Sequence, residues 1–259
     1  MSDVTLRRVG HKGADHIAPG NTKASFDAAL AAHVDMIEFD VLPRDHLAPA
    51  TAELILAHDY EHVPADALAL EAGLAYLAAP QFADIELDVD LKLPGYEARV
   101  VEALRRHGLV ERTIVSTLYM RSLVVLRELE PRLRLGWSVP RVRRDYTSTP
   151  LTAVPAFGLL LRMRHRLPRI AAAHVRAGRC DALMAHWRLV TPRLVRHLRG
   201  AGGDVYVWTV DDAARIRALE ALGVTGVITN DPRLFGEPAP PPRLAGPVPR
   251  LRRSRRSRR

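Results

Sequence analysis

The chain has 259 residues, 47% of them hydrophobic, and a formal charge of +9; it is long enough for one large core or two small ones and too apolar for an intrinsically disordered protein. Arg243, Arg250, Arg252, Arg253, Arg255, Arg256, Arg258 and Arg259 carry eight of those charges with no acid after Glu237, so the remainder is nearly neutral and the basic balance does not make the folded part a nucleic-acid binder. One cysteine, Cys180, excludes an internal disulfide; the start MSDVTLRRVGHKG has no signal-type apolar core and no stretch approaches a membrane span, so a soluble cytoplasmic protein is expected.

Short β-like runs alternate with helical patterns along the chain. LRRVGH from Leu6 reads as the first strand, and the Asn21-Thr22 turn starts the helical ASFDAALAAH. MIEFDVL from Met36 and LILAHD from Leu54 are the next strands. DIELDVDLKL from Asp84 leads into the helical YEARVVEALRRHG, and TIVSTL from Thr113 into MRSLVVLRELEP, with LRLGWSV from Leu133 after it. ALMAHW from Ala182 precedes TPRLVRHLRGAG, VYVWTV from Val205 precedes DAARIRALEALG, and GVITND from Gly226 is the last strand.

Strand and helix repeating this often imply a parallel sheet with helices outside it. Eight such units suit a TIM-type (β/α)8 barrel at this length, with an open doubly wound sheet as the alternative. LILAHD makes one strand too many and reads as an excursion after the second barrel strand. Residues 140–178 break the rhythm: they are rich in Arg and Pro, hold the apolar AFGLLLRMRHRL, and are expected to form a long loop plus helix between barrel strands five and six. From residue 237 the Pro- then Arg-rich EPAPPPRLAGPVPRLRRSRRSRR is expected to be a disordered tail, leaving residues 1–236 as the barrel domain.

Side chains alternate along a strand, so Glu38 and Asp40 share one face, with Ile37, Phe39 and Val41 on the other. The same parity groups Asp88, Asp90 and Lys92 against Leu87, Val89 and Leu91. In a barrel the apolar set meets the helices and the carboxylates face inward. Clustered carboxylates repel unless cations or protons compensate, and a hard divalent cation such as Mg²⁺ or Ca²⁺ resolves this; the alternative is that the acids pair with arginines or cap helices. His11 follows the first strand and His58 the run LILAHD. Each alone reads as a structural histidine, but two imidazoles at strand ends beside a metal site form an acid and base pair near neutral pH. Lys12 and Lys92 add positive charge, and the combination suits a phosphoester.

The succession H-K-G, P-G-N-T, E-F-D-V, H-D, D-L-K-L, V-W-T-V and G-V-I-T-N-D-P, from about Arg7 to Leu234, resembles the glycerophosphodiester phosphodiesterase family, whose usual pattern is H-R-G, P-E-N-T, E-x-D, H-D, E-x-K, W-T and G-x-x-T-D-x-P. The resemblance implies a TIM-type barrel that hydrolyses glycerophosphodiesters to glycerol phosphate and an alcohol with a divalent metal. It assigns His11 and His58 as general acid and base, Glu38, Asp40 and Asp90 as metal ligands, and Lys12, Lys92 and Trp208 to phosphate and substrate; Trp208 has ordinary barrel packing as its other reading.

Three departures stand out. Lys12 replaces an arginine, exchanging a bidentate fork for a point charge. Gly20 replaces a glutamate and removes a carboxylate from the mouth, and Asp90 replaces a glutamate one methylene longer. Asn230 reads as replacing neither ligand nor base, because Asp231 still precedes Pro232. Two alternatives to the glycerophosphodiesterase reading are a lysophospholipid-directed phosphodiesterase of phospholipase D type, motivated by AFGLLLRMRHRL, and a barrel that binds a phosphodiester without cleaving it. The Arg-rich tail offers weak peripheral contact with anionic membrane or nucleic acid, or acts as a solubilising end. No specific protein partner is expected.

Overall fold

This computed structural model describes residues 5–140 and 150–236, and in the helix that begins at Pro150 it describes side chains at 158 and from 160 onward. In chain order the elements are β1 (Arg7–Gly10), α1 (Lys23–Ala31), β2 (Met36–Pro43), β3 (Leu54–Leu56), α2 (Leu70–Leu77), β4 (Glu86–Leu91) and α3 (Glu97–Arg106). There follow β5 (Thr113–Thr117), α4 (Met120–Leu129), β6 (Arg134–Val139), α5 (Pro150–Arg176), β7 (Ala182–His186), α6 (Pro192–Arg199), β8 (Asp204–Trp208), α7 (Ala213–Leu222) and β9 (Gly226–Thr229). The expected tail lies outside the described residues, and with it the contacts envisaged for it. No helix among the described residues is long and apolar enough to cross a membrane.

Eight strands pair in parallel around a closed ring, from β1 through β2, β4, β5, β6, β7, β8 and β9 back to β1. The closed barrel, rather than the open sheet, is therefore the fold. β3 pairs antiparallel with the end of β2 and stands outside the ring, which is the expected excursion. Helix α2, whose Ala-rich pattern does not stand out from its surroundings in the sequence, packs behind β3 with Leu70, Gly73, Leu74 and Leu77 buried.

Strand parity sorts the core into two layers. Ile37, Phe39, Val41, Leu87, Val89 and Leu91 point outward into the apolar layer beneath the helices. Inside the barrel, Val9, Met36, Ile114, Met184, Tyr206 and Ile228 pack against one another, and Trp208 closes over them. At the N-terminal ends of the strands, Glu86 pairs with Arg7 (3.0 Å) and Arg134 (3.1 Å), and Arg134 also donates to the Tyr206 hydroxyl (3.1 Å). These layers plug one end, so the interior is open to chemistry at the C-terminal ends, where barrel sites form.

Local signals fix the loops there. Thr22 and Ser25 form a capping box at the start of α1, each side-chain oxygen accepting from the other's backbone N–H at 3.2 Å. Gly13 takes φ +85°, and a Cβ there would meet the Ser25 backbone at 2.6 Å, so the H-K-G turn requires glycine to lie against α1.

Candidate active site

The ends of β1, β2 and β4 bring His11, Lys12, Glu38, Asp40, Asp90 and Lys92 together, and the loop after β3 adds His58. Glu38, Asp40 and Asp90 each offer an oxygen within 4.8 Å of the others. β2 and β4 are adjacent, with Glu38 opposite Asp88 and Asp40 opposite Asp90, so four carboxylates crowd one sector of the interior. Glu38, Asp40 and Asp88 are at most 5% exposed.

One ammonium sits among them. Lys92 Nζ donates to Asp90 Oδ2 at 2.5 Å and lies 2.5 Å from Asp40 Oδ1, the latter an ion pair without hydrogen-bond alignment. Burial alone would lower the Lys92 pKa, but Asp40, Asp90 and Glu38 hold it well above the usual lysine value. Burial likewise opposes ionisation of Asp40, yet Lys92 and the hydrogen bond from His58 keep its carboxyl well below the ordinary range. Glu38 goes the other way: burial and the neighbouring Asp40 push it well above. Asp88, with the Ser116 hydroxyl as partner, is pushed up by burial to about 8.

With a single ammonium among four carboxyls, Glu38 and Asp88 are both shifted toward the protonated form. Asp90 Oδ1 and Asp88 Oδ1 are buried without a hydrogen-bond partner, and Asp40 Oδ1 has its ion pair alone. All-oxygen donors, unmet lone pairs and a shortage of positive charge together fit a hard divalent cation at Glu38, Asp40 and Asp90.

The supporting groups orient this set. Asn21, at φ +60°, donates from Nδ2 to Asp40 Oδ2 (3.0 Å) and accepts the Asp40 N–H at Oδ1 (3.0 Å). The Lys12 backbone N–H donates to Glu38 Oε2 at 2.8 Å. The Lys12 ammonium is held by Asp15 at 3.0 Å, so its charge is partly spent before any substrate arrives. Asp15 also accepts from the Gly20 N–H (2.8 Å), and a Cβ at Gly20 would lie 2.5 Å from Asp15 Oδ1 and 2.8 Å from Lys12 Cβ. The carboxylate missing at position 20 therefore has a neighbour, Asp15, in the space where its side chain would start.

The two imidazoles differ. His11 is largely buried, and burial depresses its pKa. Its Nδ1 is 2.6 Å from Asn230 Oδ1, while Asn230 donates from Nδ2 to Asp211 (2.7 Å). With the Asn230 amide oriented that way, Nδ1 of His11 carries the proton and Nε2, 3.8 Å from Glu38, bears the lone pair. His58 is half exposed and bonds through Nδ1 to Asp40 Oδ2 at 3.2 Å. Since an ionised carboxylate only accepts, that nitrogen also carries a proton.

Trp208 points into the mouth from β8, but its indole N–H is committed to the Met184 carbonyl (3.0 Å), leaving the ring face as its contribution; His186 meets it edge-on at 5.2 Å. The reading of Asn230 needs correction. Asp231 caps the following turn and pairs with Arg233, whereas Asn230 contacts His11. Counting back from Pro232 puts the aspartate of T-D-x-P at position 230, a register that would have flagged this residue. Asn21, Asp88 and Asp211 also had no assigned role in the sequence. The N-T turn and the shared face of Asp88 were visible signals for two of them, while nothing local marked Asp211.

A closed parallel barrel with clustered carboxylates, a lysine and two imidazoles at the C-terminal mouth has the form of an enzyme active site. The model of the glycerophosphoryl diester phosphodiesterase family matches residues 74–234, a span that includes Asp90, Lys92 and Trp208. A glycerophosphodiester phosphodiesterase of Bacillus subtilis is 25% identical over 281 residues, covering 91% of this chain and 87% of the relative. The fold matches a glycerophosphodiester phosphodiesterase of Agrobacterium tumefaciens (TM-score 0.62, 19% identity, 89% of this chain and 99% of that one). It also matches an Oleispira antarctica phosphodiesterase in complex with the product sn-glycerol-3-phosphate (TM-score 0.63, 20% identity, 88% and 94%). The chain belongs to the glycerophosphoryl diester phosphodiesterase family.

Proposed function

We propose that this hydrolase converts glycerophosphodiesters to glycerol phosphate and an alcohol, with Glu38, Asp40 and Asp90 holding Mg²⁺ or Ca²⁺ and His11 and His58 moving the protons. The observation that carries the reading is the acidic cluster: four carboxyls, one ammonium and unpartnered buried oxygens, flanked by two oriented imidazoles. When bound, a divalent ion there supplies Lewis-acid polarisation of a nonbridging phosphate oxygen.

The residues of the chain do the rest. His11, neutral through burial and fixed as the Nδ1–H tautomer by Asn230, takes a proton at Nε2 from the attacking oxygen, which makes it the base. His58, held through Nδ1 on ionised Asp40, delivers a proton from Nε2 to the departing alkoxide. Lys92 stands between Asp40 and Asp90 and faces the phosphate charge, with Lys12 contributing as far as Asp15 releases it. The ring of Trp208 borders the substrate.

Release of glycerol phosphate from glycerophosphocholine, glycerophosphoethanolamine and glycerophosphoglycerol by purified protein tests this reading. His11→Ala and His58→Ala are each expected to reduce turnover by about a hundredfold or more. Turnover close to wild type in either variant overturns the role of that histidine, and no release from any diester by the wild type favours a barrel that binds without cleaving.

A further inference from the structure

A cleft of about 610 Å³ opens between the start of α4, the end of β6 and α5. On β6, Trp137 and Val139 face outward and Ser138 inward, and all three line the cleft together with Pro140, so it reaches the C-terminal end of that strand. Met120, Trp137, Val139, Met163, Leu167 and Ile170 make its walls apolar. Trp137 is fixed there by an edge contact with His174 at 5.0 Å.

The charged lining is one-signed among the described residues. Arg121, Arg162 and Arg166 border the cleft, all three are exposed, and no described acidic residue lines it. Among the described residues none of the three has a hydrogen bond or ion pair, whereas Arg105, Arg127, Arg132 and Arg134 elsewhere in the fold are all paired with carboxylates. Helix α5 itself contains five arginines and no acid. Ile170 (45% exposed) on the cleft wall and Leu161 (48%) on the same helix remain in solvent.

An apolar slot of ligand size with unpaired guanidiniums at its rim is complementary to one kind of molecule. We propose that the α4–α5 cleft binds a single-chain amphiphilic anion, the acyl chain along Trp137, Met163 and Leu167 and the anionic head at Arg121, Arg162 and Arg166. The apolar walls account for the chain, and the uncompensated arginines account for the preference for an anion over a neutral amphiphile. None of its lining residues belongs to the acidic cluster or the two histidines, and the proposal does not depend on the activity proposed above.

The test uses the full chain and ω-bromododecanoate below its micellar concentration, with tryptophan emission as the readout, because a bromine in the cleft quenches Trp137 by contact. Saturable quenching is expected, and it should vanish in Trp137→Phe, which leaves Trp187 and Trp208 in place. Arg162→Glu combined with Arg166→Glu, both at exposed positions, should weaken binding by about tenfold or more while keeping the thermal midpoint. Shortening the chain by two methylenes should weaken it by about 15-fold, and the neutral ω-bromododecanol should bind less tightly than the carboxylate. Glycerol 3-phosphate should not displace the probe. Absence of saturable quenching, quenching that survives in Trp137→Phe, indifference to the charge reversal, or displacement by glycerol 3-phosphate would each overturn the proposal.

Discussion

Replacing Asn230 with alanine removes the acceptor that holds the Nδ1 proton of His11 at 2.6 Å and leaves Asp211 without its partner on that side. Nothing else among the described residues fixes the ring through that nitrogen. A buried donor deprived of its partner costs about 1–3 kcal/mol, and where that cost falls on the productive tautomer and orientation it appears as about 5- to 150-fold in turnover. The shortness of the bond and its support by Asp211 place the expectation in the upper part of that range. Because Asn230 acts through His11, the loss should appear in kcat with KM nearly unchanged. The double variant Asn230→Asp with Asp211→Asn reverses the donor and acceptor between the two side chains while keeping an oxygen at Nδ1, and should recover most of the lost turnover. Steady-state kinetics on glycerophosphocholine would decide it: an Asn230→Ala enzyme within about twofold of wild type, or a loss confined to KM, refutes the argument.

Two further expectations concern stability. Gly20→Glu, which restores the family's usual residue, forces a Cβ to within 2.5 Å of Asp15 Oδ1 and should cost about 1–3 kcal/mol; adding Asp15→Ala should return most of the thermal midpoint, and an unperturbed single variant would show that the loop has room. Glu130 accepts hydrogen bonds from Arg132 and Arg105, which hold its carboxyl at about 2. A folded value below the ordinary one means that ionised Glu130 stabilises the protein above about pH 4.5 and that this contribution is lost as pH falls toward about 2. The midpoint difference between wild type and Glu130→Gln should therefore be present at pH 7 and close in acid; a difference that stays constant down to pH 2.5 contradicts the assignment.

The barrel was legible because period-2 runs and 3.6-period stretches alternate through most of the chain, and parity alone sent Glu38, Asp40, Asp88 and Asp90 inward. Every expected strand formed, with its ends shifted by at most three residues, and the excursion at Leu54 was recognisable as one strand too many. The sequence could not show what depends on loops meeting across the mouth. The Asp211–Asn230–His11 connection joins the loops after β8, β9 and β1, and Asp15 fills space beside Gly20 through a turn of no fixed type. Nor does parity distinguish depth, so Asp88 and Asp90 look equivalent in the sequence. In the fold the Asp88 carboxyl bonds Ser116 while that of Asp90 bonds Lys92.

The most direct test of the account is the release of glycerol phosphate from glycerophosphocholine by EDTA-treated protein as Ca²⁺ or Mg²⁺ is added back, for wild type and Asp90→Asn. Saturable activation of the wild type by one of these ions is expected, with the half-activating concentration raised about tenfold or more in the variant. Full turnover in EDTA, or identical activation of both proteins, would contradict a cation site at Glu38, Asp40 and Asp90.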